Sequence, residues 1–273
     1  MRTAFVESVA VIGPGLLDWS EGSSALADTS TYVKDKMPLD VAVSLTPNER
    51  RRTTPTIRLA LQVVDQLAHR SSLDLSKAKS VFSSSLGDLQ VIDAICFALT
   101  LPGQSISPVL FHNIVHNTPA GYWSIGAKAA RSSTTITAGS ASFAAGLIEA
   151  LVCVQDAEEP VLFVCYEYPG PAVIDQHLPS CAPFAVAMAL TAEPMDGYCC
   201  ALQSEIVAPQ PDSRIEHEAL EALRTGNTAA RALPLLQAIA TGMDHRVLLA
   251  NSGGSSLAVD VIPASTPTRV TVS

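Results

Sequence analysis

The residues best placed for chemistry lie where an apolar run gives way to small residues. Thr134 to Thr137 is short and β-branched, which predicts a buried strand, and residues 138–142 (AGSAS) precede an apolar helix predicted over residues 143–154. A strand that turns directly into a helix leaves the connecting residues beside unpaired backbone N–H groups and the positive end of the helix dipole. That environment favours a thiolate or an oxyanion. The pattern also fits a tight strand–helix connection that only packs, because such turns are common in α/β folds.

The elements predicted to position this turn alternate along the chain. Residues 184–190 and 199–207 are predicted to form an antiparallel pair, whereas residues 110–121 are predicted to be irregular. The pattern predicts a single α/β domain over residues 1–262 and a frayed tail over residues 263–273. The predicted strands are residues 9–12, 79–84, 134–137, 161–166, 184–190, 199–207, 247–250 and 257–262, and the predicted helices are residues 56–69, 89–99, 122–130, 143–154, 215–224 and 229–240.

Composition limits the class of partner. Of the 273 residues, 48% are hydrophobic, and a mean hydropathy of +0.27 indicates extensive buried or partner-covered surface. The 26 acidic and 17 basic residues give a net charge of −9, which argues against nucleic acid or an anionic membrane as the partner. No apolar run approaches the roughly 20 residues that span a bilayer, and the N-terminus lacks the features of a signal peptide. A cytoplasmic protein without a membrane span is therefore expected.

Two sets of reactive or charged side chains are interpreted as structural. The six cysteines form no CxxC pair and mostly lie inside apolar runs, so they are expected to be core residues in a reducing compartment. Arg50, Arg51 and Arg52 form a short basic run, which is interpreted as a solvated face. Neither a metal nor a cofactor is expected.

Four segments, in the correct order, resemble the β-ketoacyl synthases of the thiolase superfamily. In that family the third segment holds Asn-x-x-Ala-Gly, a helix and then Thr-Ala-Cys before the nucleophile helix, and the fourth is a Gly-rich loop before the last strands. The resemblance covers residues 6–205 and the last strand pair. It implies a thiolase-like layered αβαβα fold with a complete N-terminal half and a shortened C-terminal half. The segments are VAVIGPGLLDWSEGSSAL, TPNERRRTTPTIRLALQVVDQL, SPVLFHNIVHNTPAGYWSIGAKAARSSTTITAGSASFAAGLIEAL and ANSGGSSLAVDVI.

The nucleophile position departs from that family. The residues after Thr137 and Ala138 are Gly139 and Ser140, where the nucleophilic cysteine belongs, and Cys153 lies at the far end of the following helix. A thioester exchange needs an available thiolate, or a serine together with a base. No catalytic residue is therefore assigned.

The other catalytic groups of the family are also missing. His177, His217 and His245 lack the glycine and threonine neighbours of the two catalytic histidines. The Gly-rich loop is degenerate and lacks its phenylalanine. These losses imply a chain-length-factor subunit, similar to the short ones of aryl polyene (xanthomonadin-like) biosynthesis. The degenerate loop comprises Asn251, Ser252, Gly253 and Gly254.

The resemblance implies a catalytic β-ketoacyl synthase as the partner, and two regions of this chain that contact it. An acyl carrier protein would interact with this chain only indirectly, through that partner. One of the two contact regions is the strand before the nucleophile position, which pairs the two subunits. The other is a loop that enters the acyl tunnel of the partner and fixes the length at which elongation stops. The strand is Ser133, Thr134, Thr135, Ile136 and Thr137, and the loop is Leu110, Phe111, His112, Asn113, Ile114, Val115, His116 and Asn117.

Several alternatives stay open. Phe111, Ile114 and Val115 could belong to an ordinary core, and His112 and His116 could be buried or surface residues; metal binding by this pair is not expected. An active acyltransferase or thioesterase that uses Ser140 is a second function. A stand-alone acyl-binding or scaffolding protein is a third.

Overall fold

The computed structural model describes residues 2–39, 43–103, 105–157, 159–175 and 182–264, which form one mixed sheet with helices on both faces. The strands are β1 (Arg2–Ile12), β2 (Lys79–Ser83), β3 (Ser133–Ile136), β4 (Val161–Glu167), β5 (Phe184–Thr191), β6 (Cys200–Val207), β7 (His245–Asn251) and β8 (Ser255–Pro263). The helices are α1 (Trp19–Ala27), α2 (Pro47–Arg50), α3 (Pro55–Arg70), α4 (Leu89–Leu99), α5 (Pro108–Asn113), α6 (Thr118–Ala127), α7 (Ser142–Ala157), α8 (Ala172–Asp175), α9 (Glu218–Gly226) and α10 (Leu233–Thr241).

Strand β1 lies at the centre of the sheet. The strand order is β3-β2-β4-β5-β1-β6-β8-β7, and β1 pairs antiparallel with both β5 and β6. The predicted pairing of residues 184–190 with residues 199–207 is therefore wrong, because β1 separates the two strands. Strand β1 also begins seven residues before its predicted start at residue 9.

Strand β1 continues on both sides of a buried acidic residue, Glu7, which interrupts the apolar run in the sequence. The register shifts between Val6 and Ser8, and this bulge holds Glu7 against the end of α3. The carboxylate of Glu7 accepts hydrogen bonds from the Ser71 hydroxyl (2.7 Å) and from the Ser72 backbone N–H (2.8 Å). These bonds outweigh desolvation, so the pKa of Glu7 lies below its usual value.

Helix α7 lies between two arms of a curled sheet. It contacts β1, β2 and β4 on one side and β7 on the other, although β2 and β7 are six positions apart in the strand order. Strands are about 4.8 Å apart, so a flat sheet would separate β2 and β7 by roughly 29 Å, far more than the width of one helix. The β6–β8–β7 arm must therefore curl over α7.

The layered thiolase-like fold predicted from the sequence is confirmed. Helices α3 and α6 cover the outer face of the β3-β2-β4-β5-β1 arm, with α7 and α10 on its inner face and the β6–β8–β7 arm beyond them. The N-terminal half thus has its own five strands, whereas the C-terminal half contributes three. Gly146 permits the closest approach of α7, since a Cβ there would lie 2.7 Å from Cβ of Ser83.

The segment predicted to be irregular, residues 110–121, is largely helical. It contains the end of α5 and the start of α6, which begins four residues before the predicted start. Pro108 and Pro119 occupy the first turns of these helices, where no intrahelical partner for the N–H is required. The prolines begin the helices instead of breaking them.

The end of the chain matches the prediction closely. Helices α9 and α10 and the β7–β8 hairpin form where they are predicted, with shifts of a few residues, and a 3₁₀ turn at residues 229–232 begins the region predicted as the last helix. Pro263 is still the last residue of β8, so the predicted tail begins one residue inside the strand. Residues 265–273 lie outside the described residues.

Candidate functional site

The turn between β3 and α7 is centred on Gly139. This residue has a φ of +57°, in the left-handed region that side chains other than glycine rarely adopt. A Cβ added to Gly139 would meet no atom within 4 Å, so the position faces open space. The turn therefore has the sharp strand-to-helix geometry that was predicted, but glycine supplies no reactive atom.

Hydrogen bonds fix this turn on its inner side. The Ser142 hydroxyl donates to the carbonyl oxygen of Gly139 (2.7 Å) and accepts from the N–H of Ala138 (3.0 Å). Ser83, at the end of β2, donates to the carbonyl oxygen of Ser142 (2.6 Å). The hydroxyl of Thr137 donates to the carbonyl oxygen of Ser85 (3.1 Å). The turn is thus tied to the neighbouring strand on both sides of Gly139.

Ser140 is exposed and borders a small cavity that the sequence did not reveal. The cavity has a volume of about 30 Å³, room for no more than a few water molecules. Among the described residues its lining contains no histidine, lysine or cysteine. The lining residues are Ser140, Phe143, Ala144, Asp212, Arg224, Arg231, Leu249 and Ala250.

The charges beside Ser140 are paired with one another. Arg224, which is 4% exposed, forms a bidentate pair with Glu221 at 2.6 and 2.7 Å. This pairing lowers the pKa of Glu221 and raises that of Arg224. Asp212 accepts from Arg231 at 3.0 Å and lies 3.6 Å from Arg224. Two guanidinium groups and two carboxylates sum to zero, so the cluster leaves little positive charge for an oxyanion.

The degenerate Gly-rich loop, Asn251 to Gly254, is the turn of the β7–β8 hairpin. Gly253 and Gly254 have φ values of +74° and +70°, and nothing lies within 4 Å of a Cβ built on either. Ala250, just before the loop, lines the cavity beside Ser140. The structure therefore brings the start of this loop and the Gly139 turn together.

The predicted partner loop exposes its apolar side chains. Phe111 is 66% exposed, Val115 53% and Ile114 36%, so core packing of these three residues is ruled out in this chain. Asn113 is the exception, since it is buried and its amide donates to the carbonyl oxygen of Arg52 (2.7 Å). Leu110 is half-buried and Asn117 is exposed.

The two histidines of this loop lie in different surroundings. His112 is exposed and contacts the ring of Tyr122 edge-on, with the ring centroids 6.1 Å apart. His116 is half-buried, and its Nε2 donates to the carbonyl oxygen of Ser84 (3.1 Å). No group of three or more potential ligands in the described part of the chain is arranged to hold a metal ion.

Strand β3 is an edge of the sheet. It pairs in parallel with β2 alone, and residues 133–136 are exposed or half-buried, so the prediction of a buried strand is wrong for the isolated chain. The carbonyl oxygens of Ser132 and Ile136 accept from the N–H of Ser80 in β2 and from that of Ser84, directly after it. Because backbone groups alternate along a strand, those of Ser133 and Thr135 point away from the sheet.

Sequence reasoning missed two features near these elements. The end of α4 exposes Phe97 (64%) and Leu99 (67%), and α4 contacts α5. Glu167, at the end of β4, is completely buried. An acidic residue that ends an otherwise apolar strand could have pointed to Glu167, whereas exposure of α4 depends on tertiary packing.

One family matches most of the chain. The family described as beta-ketoacyl synthase, N-terminal domain, matches residues 19–250. A comparison with curated proteins gives no match. No helix among the described residues is both long enough and apolar enough to cross a membrane.

Solved structures share the fold at low sequence identity. A complex of the ketosynthase ApeO with its chain length factor ApeC from Xenorhabdus doucetiae matches with a TM-score of 0.72 and 24% identity, covering 95% of this chain and 100% of that chain. The ishigamide ketosynthase/chain length factor matches with a TM-score of 0.74 and 13% identity, covering 96% and 100%. A β-ketoacyl synthase from Burkholderia phymatum STM815 matches with a TM-score of 0.65 and 11% identity, covering 97% and 100%.

Proposed function

Because the chain belongs to the β-ketoacyl synthase N-terminal domain family, we propose that it is a non-catalytic chain-length-factor subunit. It pairs with a catalytic β-ketoacyl synthase and shapes the acyl tunnel of that partner. The partner holds the cysteine and carries out the decarboxylative condensation on an acyl carrier protein. The products belong to the aryl polyene type of biosynthesis.

The observation that carries this proposal is the absence of a nucleophile at Gly139. Cys153 lies 11 residues beyond the start of α7, about 16 Å along the helix axis, too far to replace a thiol at the turn. The hydroxyl of Ser140 is exposed, but Asp212, the carboxylate of the adjoining cavity, already accepts from Arg231. An acyl-enzyme on Ser140 would lack a base among the described residues that line this cavity.

The surfaces available for a partner support the pairing. The free edge of β3 offers the outward backbone groups of Ser133 and Thr135, to which a second strand can add. The exposed apolar residues of α4 and α5, among them Phe97 and Phe111, are of the kind that anchor protein interfaces. An exposed edge and exposed aromatic side chains are liabilities in a monomer, and a partner subunit would cover both.

The names of two fold neighbours agree with this pairing. ApeO is named as a ketosynthase in complex with its chain length factor, and the ishigamide protein is named as a ketosynthase/chain length factor. The net charge of −9 fits an indirect relation to the carrier protein, because a strongly acidic surface does not attract an acidic partner. Carrier docking is therefore assigned to the catalytic subunit.

Co-expression with a catalytic ketosynthase tests the proposal. The full chain is expressed with ApeO as a surrogate ketosynthase, and with a second catalytic ketosynthase of the aryl polyene type, and each pair is purified through a tag on the ketosynthase. We expect a one-to-one heterodimer that condenses carrier-bound malonyl units, whereas the chain alone forms no product. A stable homodimer that ignores both ketosynthases would favour the stand-alone acyl-binding or scaffolding alternative.

A further inference from the structure

The carboxylate of Glu167 is a buried acceptor that the proposed function does not yet use. Glu167 is 0% exposed at the end of β4, and both of its oxygens are occupied. Oε2 accepts from the N–H of Ser85 (2.8 Å) and the hydroxyl of Thr228 (2.7 Å). Oε1 accepts from the N–H of Leu86 and the hydroxyl of Ser84, both at 3.3 Å. Three of the four donors belong to the turn that follows β2.

This turn, residues 84–87, touches both regions of the candidate site. The carbonyl oxygen of Ser85 accepts from Thr137, two residues before Gly139 (3.1 Å), and that of Ser84 accepts from His116 (3.1 Å). Gly87 packs directly against the same imidazole, since a Cβ at Gly87 would lie 2.8 Å from Nδ1 of His116. The turn is therefore a physical link between the Gly139 turn and the predicted tunnel loop.

The same carboxylate also binds the C-terminal half of the fold. Thr228 lies after α9, and the neighbouring Asn227 donates its amide to the main-chain carbonyl oxygen of Glu167 (3.3 Å) and to that of Ala182 (2.6 Å). Asn227 and Thr228 are both buried. The end of β4 is thus held to the C-terminal segment through its backbone and through its side chain.

We propose that Glu167 is a positioning residue that holds the 84–87 turn and, through it, sets the geometry of the tunnel loop at His116 and of the Gly139 turn. Its part in product length rests on the proposed function. The positioning itself is a property of this chain and can be measured without a partner.

The local electrostatics give this residue a signature that a packing residue lacks. Burial raises the pKa of Glu167 to about 7, against the hydrogen bonds that favour the charged form. The titratable groups around Glu167 are Cys165 and Tyr166 on its own strand and His116 across the 84–87 turn, and burial raises the pKa of the first two. No cationic side chain of the described residues forms an ion pair with Glu167. The charge of Glu167 therefore changes near neutral pH, and ionisation in this buried position favours any opening of the turn that hydrates the carboxylate.

Glutamine is a poor substitute at this position for a geometric reason. Both oxygens of Glu167 accept a backbone N–H, from Ser85 and from Leu86, whereas an amide has one oxygen and one NH₂ group. Glu167→Gln must leave one of these N–H groups facing another donor. The substitution preserves volume, so it tests the acceptor and not the packing.

Hydrogen exchange measured by mass spectrometry on the full chain tests the proposal. Wild type, Glu167→Gln and Glu7→Gln are compared at pH 6 and pH 8, with labelling times scaled to equal intrinsic exchange. Glu7 is the matched control, a buried carboxylate that also accepts from serine hydroxyl and backbone N–H donors but lies at the far end of α3. Glu167→Gln should speed exchange about tenfold in peptides that cover residues 80–90, 108–118 and 133–141, the factor expected for one lost hydrogen bond.

The pH comparison separates positioning from general stability. In wild type the protection of residues 84–87 should fall between pH 6 and pH 8, because an opening that hydrates the carboxylate becomes easier once it ionises, and in Glu167→Gln this fall should vanish. Faster exchange confined to residues 80–90 would overturn the proposal, as would a pattern shared with Glu7→Gln. If Glu167→Gln does not fold, Thr228→Val takes its place, since it removes one hydrogen-bond donor and keeps the carboxylate. It should speed exchange in the same three regions about threefold. Unchanged exchange at residues 108–118 and 133–141 would again overturn the proposal. Because no ketosynthase is present, failure here is distinguishable from failure of the pairing.

Discussion

A proline at Thr135 should separate partner binding from folding. The carbonyl oxygens of Ser132 and Ile136 face β2, so the N–H of Thr135, at the opposite phase, faces outward. Proline removes that outward N–H and leaves the bonds to β2 in place, which is why edge strands tolerate it. We expect Thr135→Pro to keep the fold of the chain and to lose most of its affinity for a catalytic ketosynthase.

The size of the loss follows from the geometry of strand addition. Paired strands lie about 4.8 Å apart, and the proline ring occupies the space that the incoming strand must enter. The absent N–H and the two displaced neighbouring bonds, at about 1 kcal/mol each, sum to about 3 kcal/mol, or a weakening of Kd of about a hundredfold. The assay is isothermal titration of the purified ketosynthase into the chain, with circular dichroism as the check on folding.

The other edge of the sheet supplies the matched control. Leu248 of β7 exchanges hydrogen bonds with Ser213 on the side away from β8, so the backbone groups of Arg246, two residues earlier, also point outward. Arg246→Pro should leave ketosynthase binding within about threefold of wild type. A folded Thr135→Pro chain that binds as tightly as wild type, or an equal loss in Arg246→Pro, would refute pairing through β3.

Three further outcomes are expected. Glu167→Gln should remove a pH dependence of the free energy of unfolding in urea. The pKa of Glu167 is about 7 in the folded chain, above the ordinary value of 4.5, so this carboxyl stabilises the fold most below pH 4.5, and about 3 kcal/mol of that stability is lost as the pH rises to 7. Equal pH slopes of the unfolding free energy in the variant and in wild type would contradict this assignment. Phe111→Ala should lengthen the products of the reconstituted pair, as measured by mass spectrometry, because a smaller side chain on this loop would leave more room in the acyl tunnel. The variant should fold, since Phe111 is exposed in the isolated chain. Products of unchanged length would show that Phe111 does not line the tunnel. Gly139→Cys should fold at a cost of about 1–2 kcal/mol, because residue 139 has a left-handed backbone conformation. Its thiol should react with iodoacetamide, since the position faces open space. A thiol protected from the reagent would show that the turn is closed.

Local patterns predicted most elements of the fold. The predicted bounds of α4, residues 89–99, match the structure because Asp88 caps the helix by accepting from the N–H of Val91 (3.2 Å). The strand–turn–helix at residues 133–142 was predicted within one residue, since β-branched residues followed by small ones leave few other conformations. Such features depend on neighbours in sequence, which the sequence displays directly.

Long-range features were not predictable in the same way. Strand β1 separates β5 from β6, but nothing in residues 184–207 indicates that a strand from the N-terminus inserts between them. The pairing of Arg224 with Glu221 and Asp212 beside Ser140 was also missed, because exposed and buried charges look alike in a sequence. The Gly139 turn was found from its pattern, whereas its proximity to the Gly-rich loop depends on the curl of the β6–β8–β7 arm, which the sequence does not display.

The most direct test of the account asks which subunit carries the growing chain. The reconstituted pair is supplied with acyl and malonyl carrier protein, quenched during turnover and digested, and the peptides of both subunits are searched for covalent acyl groups. The account predicts acylation of the ketosynthase cysteine alone, with Ser140→Ala giving the same rate and products as wild type. An acyl group on Ser140 would contradict it and would make this chain an acyltransferase.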